Sequence, residues 1–223
     1  KSLAKKHKAQ FLFETNVGAG LPILSTLSDL VKSGDQVIKI EAVLSGTLNF
    51  IFNNYDANRP FVEVVKLAKK EGYTEPDPRL DLSGEDVMRK ILILARESSY
   101  QFDMDEVMGN NFLPESCQRS KNEADFYLKL AAEETHFSKL YQEAQSKGCK
   151  LRYVASFEDQ KLTTGLSHIG MDHPFYQLEG KDNIVLFYTH RYPEQPLVVK
   201  GAGAGAAVTA SGIFADVMRV AHA

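Results

Sequence analysis

Between Gly72 and Lys90 the chain reads GYTEPDPRLDLSGEDVMRK, placing five carboxylates (Glu75, Asp77, Asp81, Glu85 and Asp86) and a lysine around a stiff loop and a helix start. Such density suits a polar ligand. Pro76 and Pro78 each fix their own φ and push the residue before them toward extended conformations, so Tyr73 to Leu82 is expected as a rigid loop. Ser83 opens a strongly patterned helix, with Val87, Met88, Ile91, Leu92, Leu94 and Ala95 on one broad face as far as about Arg96. Asp86 and Lys90, four residues apart, share a face bordering that apolar arc. A lysine at the edge of a core is partly desolvated, which brings its pKa toward the range useful for proton transfer. The same residues also admit structural readings. Ser83-x-x-Asp86 has the form of a capping box, and Asp86 with Lys90 has the form of a surface ion pair worth about a few tenths of a kcal/mol. Periodicity alone does not choose between them.

The elements that must hold this stretch can be read on either side of it. Gln10 to Thr15 alternates loosely and is expected as a strand running into a glycine corner, Asn16 to Gly20, closed by Pro22. Ile23 to Val31 reads as a helix stopped at Ser33-Gly34-Asp35, Val37 to Leu44 as a strand, and Ser45-Gly46 as a turn. Thr47 to Tyr55 and Pro60 to Glu71 read as helices, the second with Phe61, Val64, Val65 and Ala68 on one face and Gly72 as its C-cap. Cys117 to Gly148 is charge-rich and amphipathic, with the length of two helices. Lys150 to Phe157, Lys161 to Ile169, Asn183 to Tyr188 and Pro196 to Lys200 read as four further strands, and Ala206 to Ala221 as a closing helix. The fold class expected is α+β, a mixed β-sheet with helices packed on it.

Composition narrows the partners. With 223 residues the chain can bury a core of its own, and a formal charge of −3 with acids and bases interspersed leaves no basic stripe for nucleic acid. No apolar run reaches the ~18 residues of a membrane span, so no membrane partner is expected. Cys117 and Cys149 lie far apart without metal-ligand spacing, and the six histidines show no zincin or i, i+4 pairing. Idle reduced thiols and a cytoplasmic location are the expectation. The chain opens at Lys1 in mid-helix style, which suggests that something precedes it.

Four runs in chain order resemble the signature runs of homoserine dehydrogenases: FETNVGAGLP (13–22), LSGTLNFIF (44–52), the stretch from Glu75 to Lys90, and GAGAGAAVTA (201–210). Together they cover the chain from about Phe11 to its end. The likeness is greatest to the dehydrogenase half of bifunctional aspartokinase/homoserine dehydrogenases. Such enzymes interconvert L-aspartate 4-semialdehyde and L-homoserine with NAD or NADP, so a proton must reach or leave the substrate oxygen as hydride moves. The resemblance implies that Lys90 transfers that proton and that Glu75 and Asp86 hold the substrate ammonium. Asp81, Tyr73, Thr47 and Gly46 match positions lining the same pocket. It also implies a monovalent cation, sodium, at the Glu14 side chain and the carbonyls of Val17, Ala19 and Leu21, a donor set of the oxygens a hard cation prefers. One departure is Leu80, where relatives carry a second acid.

The Gly201 to Gly205 run imitates a dinucleotide fingerprint, yet a Rossmann site needs a βαβ unit with an acid after its second strand, and one strand and one helix remain here. The resemblance implies instead that Gly205 touches the cofactor from the far side and that the nucleotide-binding Rossmann domain is absent from this chain. Residues 22–150 are then expected as the substrate-binding and catalytic domain, 10–21 with 151–205 as a β-rich dimerisation region of a homodimer, and 206–223 as a helix docking on the nucleotide domain. Two rivals come from other classes. An amino-acid-binding regulatory module would need the acids but not Lys90, and a purely structural oligomerisation module would need neither.

Overall fold

The computed structural model describes residues 2–56 and 58–222. In chain order the elements are the helices α1 (Ser2–Lys6), α2 (Thr15–Gly18) and α3 (Ile23–Lys32), the strand β1 (Val37–Val43), and the helices α4 (Gly46–Asn54), α5 (Phe61–Lys70), α6 (Pro78–Leu82) and α7 (Glu85–Glu97). There follow the strand β2 (Val107–Asn110), the helices α8 (Glu115–Gln118), α9 (Glu123–Ala132) and α10 (Glu134–Ser146), the strands β3 (Lys150–Glu158), β4 (Lys161–Ile169), β5 (Asp182–Thr189) and β6 (Leu197–Ala202), and the closing helix α11 (Ala206–Ala221).

The strands form one sheet ordered β2-β4-β3-β1-β5-β6, mixed because β2 runs parallel to β4 while the other neighbours are antiparallel. The α+β expectation holds. β1 lies between β3 and β5, so segments 22–150 and 151–205 build the same sheet. The period of two explains its faces. Leu151, Tyr153, Ala155 and Phe157 of β3 enter the main core, under α4, α7 and α10, whereas Val154 enters a smaller cluster on the opposite side. α7 contributes Val87, Ile91, Leu92, Leu94 and Ala95 to the main core, the face that its periodicity marks out. At the α5–α10 contact, Phe61 stacks on Phe137 with centroids 4.0 Å apart.

The smaller cluster is roofed by the segment between β4 and β5, whose Phe175 and Leu178 are fully buried. One buried side chain makes several of the ties that hold this roof down. Arg152 is buried, and its guanidinium donates to the carbonyls of Phe175 (3.1 Å), Tyr176 (3.3 Å), Leu178 (3.0 Å) and Leu151 (2.9 Å). Burial pushes this guanidinium below its ordinary pKa. Its hydrogen bonds to carbonyls replace water for an otherwise costly buried charge.

Several sequence expectations are corrected. Gln10 to Thr15 is not a strand: among the described residues it takes no strand pairing, and the backbone turns at Glu14 into α2, which Thr15 opens. Glu14 N–H donates to Asp216 Oδ2 (3.0 Å) on α11, so this segment is fixed by a side chain rather than a ladder. The rigid loop Tyr73 to Leu82 ends in a helix, α6, because Asp77 caps it by accepting from Arg79 N–H (3.0 Å) and Pro78 occupies its first turn. The capping box from Ser83 to Asp86 does not form. The N-cap of α7 is Gly84, in the left-handed region at φ 75°, and Ser83 Oγ accepts from Glu85 N–H (3.2 Å). The amphipathic stretch Cys117 to Gly148 holds the two longer helices α9 and α10, and the short α8 overlaps its start. β2 was not foreseen, since VMGN has no alternation and gains its order from β4. Gly201 and Ala202 belong to β6, so the glycine loop is shorter than its composition suggests.

Candidate active site

The implied site residues gather around the turn from β1 to α4. Lys90, on the edge of the α7 apolar face, extends its amine to the end of β1, where Nζ donates to Leu44 O (3.0 Å). One helical turn away Asp86 Oδ2 lies 2.8 Å from the same Nζ. The lysine side chain is 17% exposed and the aspartate 62%, so the amine is the desolvated partner and Asp86 faces the open side.

Three residues beyond Leu44, Thr47 begins the second half of the site. Its hydroxyl donates to Tyr73 O and lies 2.9 Å from Asp81 Oδ1, while Asp81 Oδ2 accepts from Glu75 N–H (2.9 Å). A hydroxyl has one proton to give and the Tyr73 carbonyl can only accept. Burial pushes the Asp81 carboxyl above its ordinary value, against the opposing pull of the Glu75 N–H and Thr47. A protonated Asp81 would donate to Thr47 Oγ1 and satisfy every contact at once. Through this network the proline loop is bound to the start of α4, and Glu75 is left with an exposed side chain. Asp77 takes no part. Its carboxylate accepts from Arg79 Nε (3.0 Å) and Nη2 (2.6 Å), and this guanidinium holds it below the usual carboxylate range.

Gly46 opens α4 against the β5 approach: a Cβ there would lie 3.0 Å from Lys181 O. Lys181 Nζ stands 4.9 Å from the centroid of the Tyr73 ring, which also packs on Phe50 at 4.5 Å. Sequence reasoning missed this lysine because nothing in its local pattern brings it to Tyr73. It missed Asn183 for the same reason. That side chain is buried, donates to Leu44 O (3.5 Å), and lies against Gly203. Gly205, the N-cap of α11, has φ 117° and open space where a Cβ would stand.

The Glu14 corner forms a second, separate cluster. The Glu14 carboxylate is 4% exposed and accepts from Leu24 N–H (2.7 Å) and Ser25 N–H (2.8 Å) at the start of α3. Arg219 Nη1 of α11 lies 3.6 Å from it and 2.6 Å from Asp216 Oδ1. Ala19 has φ 52° and ψ −123°, a strained turn that re-aims the peptides around it. α11 packs on this corner so tightly that a Cβ on Gly20 would lie 2.1 Å from Val208 O. Its other side exposes Ile213, Phe214, Val217 and Val220. As a cation site the corner offers carboxylate oxygens with a further lone pair each, the donor type a hard ion prefers, although Arg219 Nη1 already stands 3.6 Å from Glu14 Oε2. Among the described residues no cluster of three or more His, Cys, Asp or Glu is placed to hold a metal, so such an ion would rely on the carbonyls of Val17, Ala19 and Leu21.

Among the described residues no helix is long and apolar enough to cross a membrane, and Cys117 and Cys149 are free thiols.

Residues 22–218 match the family model for homoserine dehydrogenase. The chain belongs to the homoserine dehydrogenase family. The match begins just after the Glu14 to Leu21 corner and takes in Thr47, Tyr73, Glu75, Asp81, Asp86, Lys90 and Gly205. The chain is similar to the bifunctional aspartokinase/homoserine dehydrogenase 1, chloroplastic, of Arabidopsis thaliana, with 47% identity over 99% of this chain and 24% of that protein. Its fold is similar to the crystal structure of a protein of unknown function from Candida auris (TM-score 0.88, 41% identity, 94% of this chain and 60% of that one). It is also similar to a hyperthermophilic archaeal homoserine dehydrogenase mutant in complex with NADPH (TM-score 0.72, 25% identity, 98% of this chain and 57% of that one). The chain thus spans about a quarter of the Arabidopsis relative and well under two thirds of the two solved chains.

Proposed function

We propose that this chain carries the substrate-binding and proton-transferring part of a homoserine dehydrogenase, which interconverts L-aspartate 4-semialdehyde and L-homoserine in threonine, methionine and isoleucine biosynthesis. The observation that supports this reading is the Lys90 amine, poised between Asp86 and Leu44 O beside the Thr47, Asp81 and Glu75 network. NAD or NADP, when bound, supplies or accepts the hydride, and the NADPH complex of the archaeal family member supports a nucleotide of this kind. Gly205 is the residue of this chain proposed to meet it, since its open surroundings let a ligand approach the backbone.

The substrate is a zwitterion, and the site has charge for both of its ends. Glu75 and Asp86 hold the ammonium, with Asp81, Thr47, Tyr73 and Gly46 shaping the pocket. Lys181 supplies positive charge across the Tyr73 ring. In the oxidising direction Lys90 takes the hydroxyl proton as hydride leaves, and in the reverse direction it returns one. A regulatory amino-acid sensor would gain nothing from a shielded lysine pointed at a backbone carbonyl.

Glu14 with the carbonyls of Val17, Ala19 and Leu21 would hold a sodium ion that stiffens the corner under α11. Residues 22–150 form the substrate domain in this reading, 10–21 and 151–205 the region through which two copies associate as a homodimer, and 206–223 the helix whose exposed apolar side docks on a nucleotide domain. The test is steady-state oxidation of L-homoserine with NADP and NAD by the full-length protein carrying this chain. Turnover that depends on Lys90 is the result expected, and binding of homoserine without turnover would favour the sensor reading.

A further inference from the structure

Asn183 is 1% exposed at the start of β5, where it pairs with Gly201 of β6. Its amide has one long hydrogen bond and one gap. Nδ2 donates to Leu44 O (3.5 Å), the carbonyl that also accepts from Lys90 Nζ (3.0 Å), whereas Oδ1 is shut off from solvent with no hydrogen-bond partner among the described residues. An amide oxygen buried in that state is normally paired with something, because its lost hydration is otherwise uncompensated. The amide cannot turn away to find water. A Cβ on Gly203 would lie 2.1 Å from both Cγ and Nδ2, so the glycine run lies flat against the amide and pins it.

We propose that Asn183 is a positioning residue for Lys90. Its Nδ2 holds the Leu44 carbonyl that orients the amine, and its Oδ1 is the acceptor that receives a Lys90 N–H when the amine leaves Asp86 to meet the substrate oxygen. The amide gains and loses no proton in this role, because it directs the lysine's hydrogens and leaves proton transfer to the lysine. Gly203 is glycine so that the amide can stay in place. The proposal rests on the reading of Lys90 as the proton-transferring group. The charged group in contact with that amine is Asp86 on its own helix, and Asp81, Glu75 and Lys181 belong to the neighbouring contacts of Thr47 and Tyr73. None of them comes from β5, so a change at Asn183 introduces its own signal.

The test uses the full-length protein and the pH dependence of kcat for homoserine oxidation. Asn183→Asp keeps the shape and adds a carboxylate beside the amine, which favours the ammonium, so the rising limb of the profile is expected to move up by about 1 pH unit. Asn183→Ser and Gly203→Ala, which remove or displace the amide, are expected to lower kcat about 10–100-fold with homoserine KM changed less than about threefold. A purely structural Asn183 would lower the melting temperature and leave the limb where it is. An unmoved limb in a folded Asn183→Asp protein overturns the proposal, as does native kcat in both Asn183→Ser and Gly203→Ala. Should Lys90→Ala retain native kcat, the reading of Lys90 itself fails. If Lys90→Ala is inactive while the Asn183 variants behave as the parent, only the role of Asn183 falls.

Discussion

Gly84 and Tyr153 meet where α7 begins. Gly84 has φ 75°, and a Cβ on it would lie 2.0 Å from Tyr153 Oη and 2.6 Å from Cζ. The Tyr153 ring therefore sits directly beneath the helix start that carries Asp86 and Lys90, so β3 sets the height of α7 over the sheet. Gly84→Ala combines a left-handed φ with a steric overlap that neither the strand nor the helix can yield to cheaply. A loss of roughly 1–3 kcal/mol from backbone strain alone is expected, with packing adding to it. Tyr153→Phe in the parent is expected to melt close to it, since Oη makes only a long contact with Thr164 Oγ1 (3.4 Å). Thermal melts of the two variants check this, and a Gly84→Ala protein as stable as the parent would contradict the packing described.

Lys90→Ala removes the proton carrier and leaves Glu75 and Asp86 to hold the ammonium. In the full-length protein kcat is expected to fall by about 10²–10⁴-fold, with a smaller change in homoserine KM. Glu75→Gln is expected to act chiefly on KM by weakening a charge-assisted contact. If Lys90 were only half of a helix ion pair, its removal would cost about 0.3–0.5 kcal/mol of stability and leave turnover nearly normal.

Asp81 links pH to stability. Its carboxyl is held above its ordinary value of 3.8, chiefly by burial. The folded chain then binds this proton more tightly than the unfolded one. This contribution is greatest below the unfolded value and declines as pH rises from there through the folded value. Asp81→Asn can accept the Glu75 N–H through Oδ1 and donate to Thr47 Oγ1 through Nδ2. Its melting temperature at pH 7 is expected to equal or exceed the parent's, with the advantage disappearing below pH 3.8. Melts across pH 3 to 8 decide it, and a marked loss of stability at neutral pH would show that the ionised carboxylate is the form the fold prefers.

Arg152→Met should free the roof over the smaller cluster. The Tyr176 carbonyl loses its donor, while Phe175 O keeps Leu178 N–H (3.2 Å) and Leu178 O keeps Asn53 Nδ2 (3.2 Å), and a buried carbonyl left unpaired costs about 1–3 kcal/mol. Because Asn49 and Asn53 of α4 donate to Gly180 O and Leu178 O, loosening should spread toward the site. Hydrogen exchange is expected to rise over residues 170–181 before the rest of the sheet. Unchanged exchange there, in a variant that still folds, would show that the aromatic packing suffices.

Much of the scaffold was legible because it repeats. α7 shows its buried face in the spacing of Val87, Ile91 and Leu94, and β3 shows its own in alternation, so local period alone located them. α11 was found to the residue by its glycine start. The runs around Glu14, Thr47, Lys90 and Gly205 carried the resemblance to the family that the comparison then established. What failed was decided by partners rather than by pattern. Gln10 to Thr15 alternates yet takes no strand pairing among the described residues, and Asp77 turned a proline loop into the cap of a helix. β2 is a strand only because β4 offers it an edge. The site divides in the same way. Asp86 and Lys90 are neighbours by helical spacing, a distance within one element that the sequence determines. Lys90 meets the Leu44 carbonyl across 46 residues of chain and the Asn183 amide meets the same carbonyl across 139, through contacts between elements. Such contacts depend on how a twisted sheet and its helices pack, so only the tertiary structure could decide them.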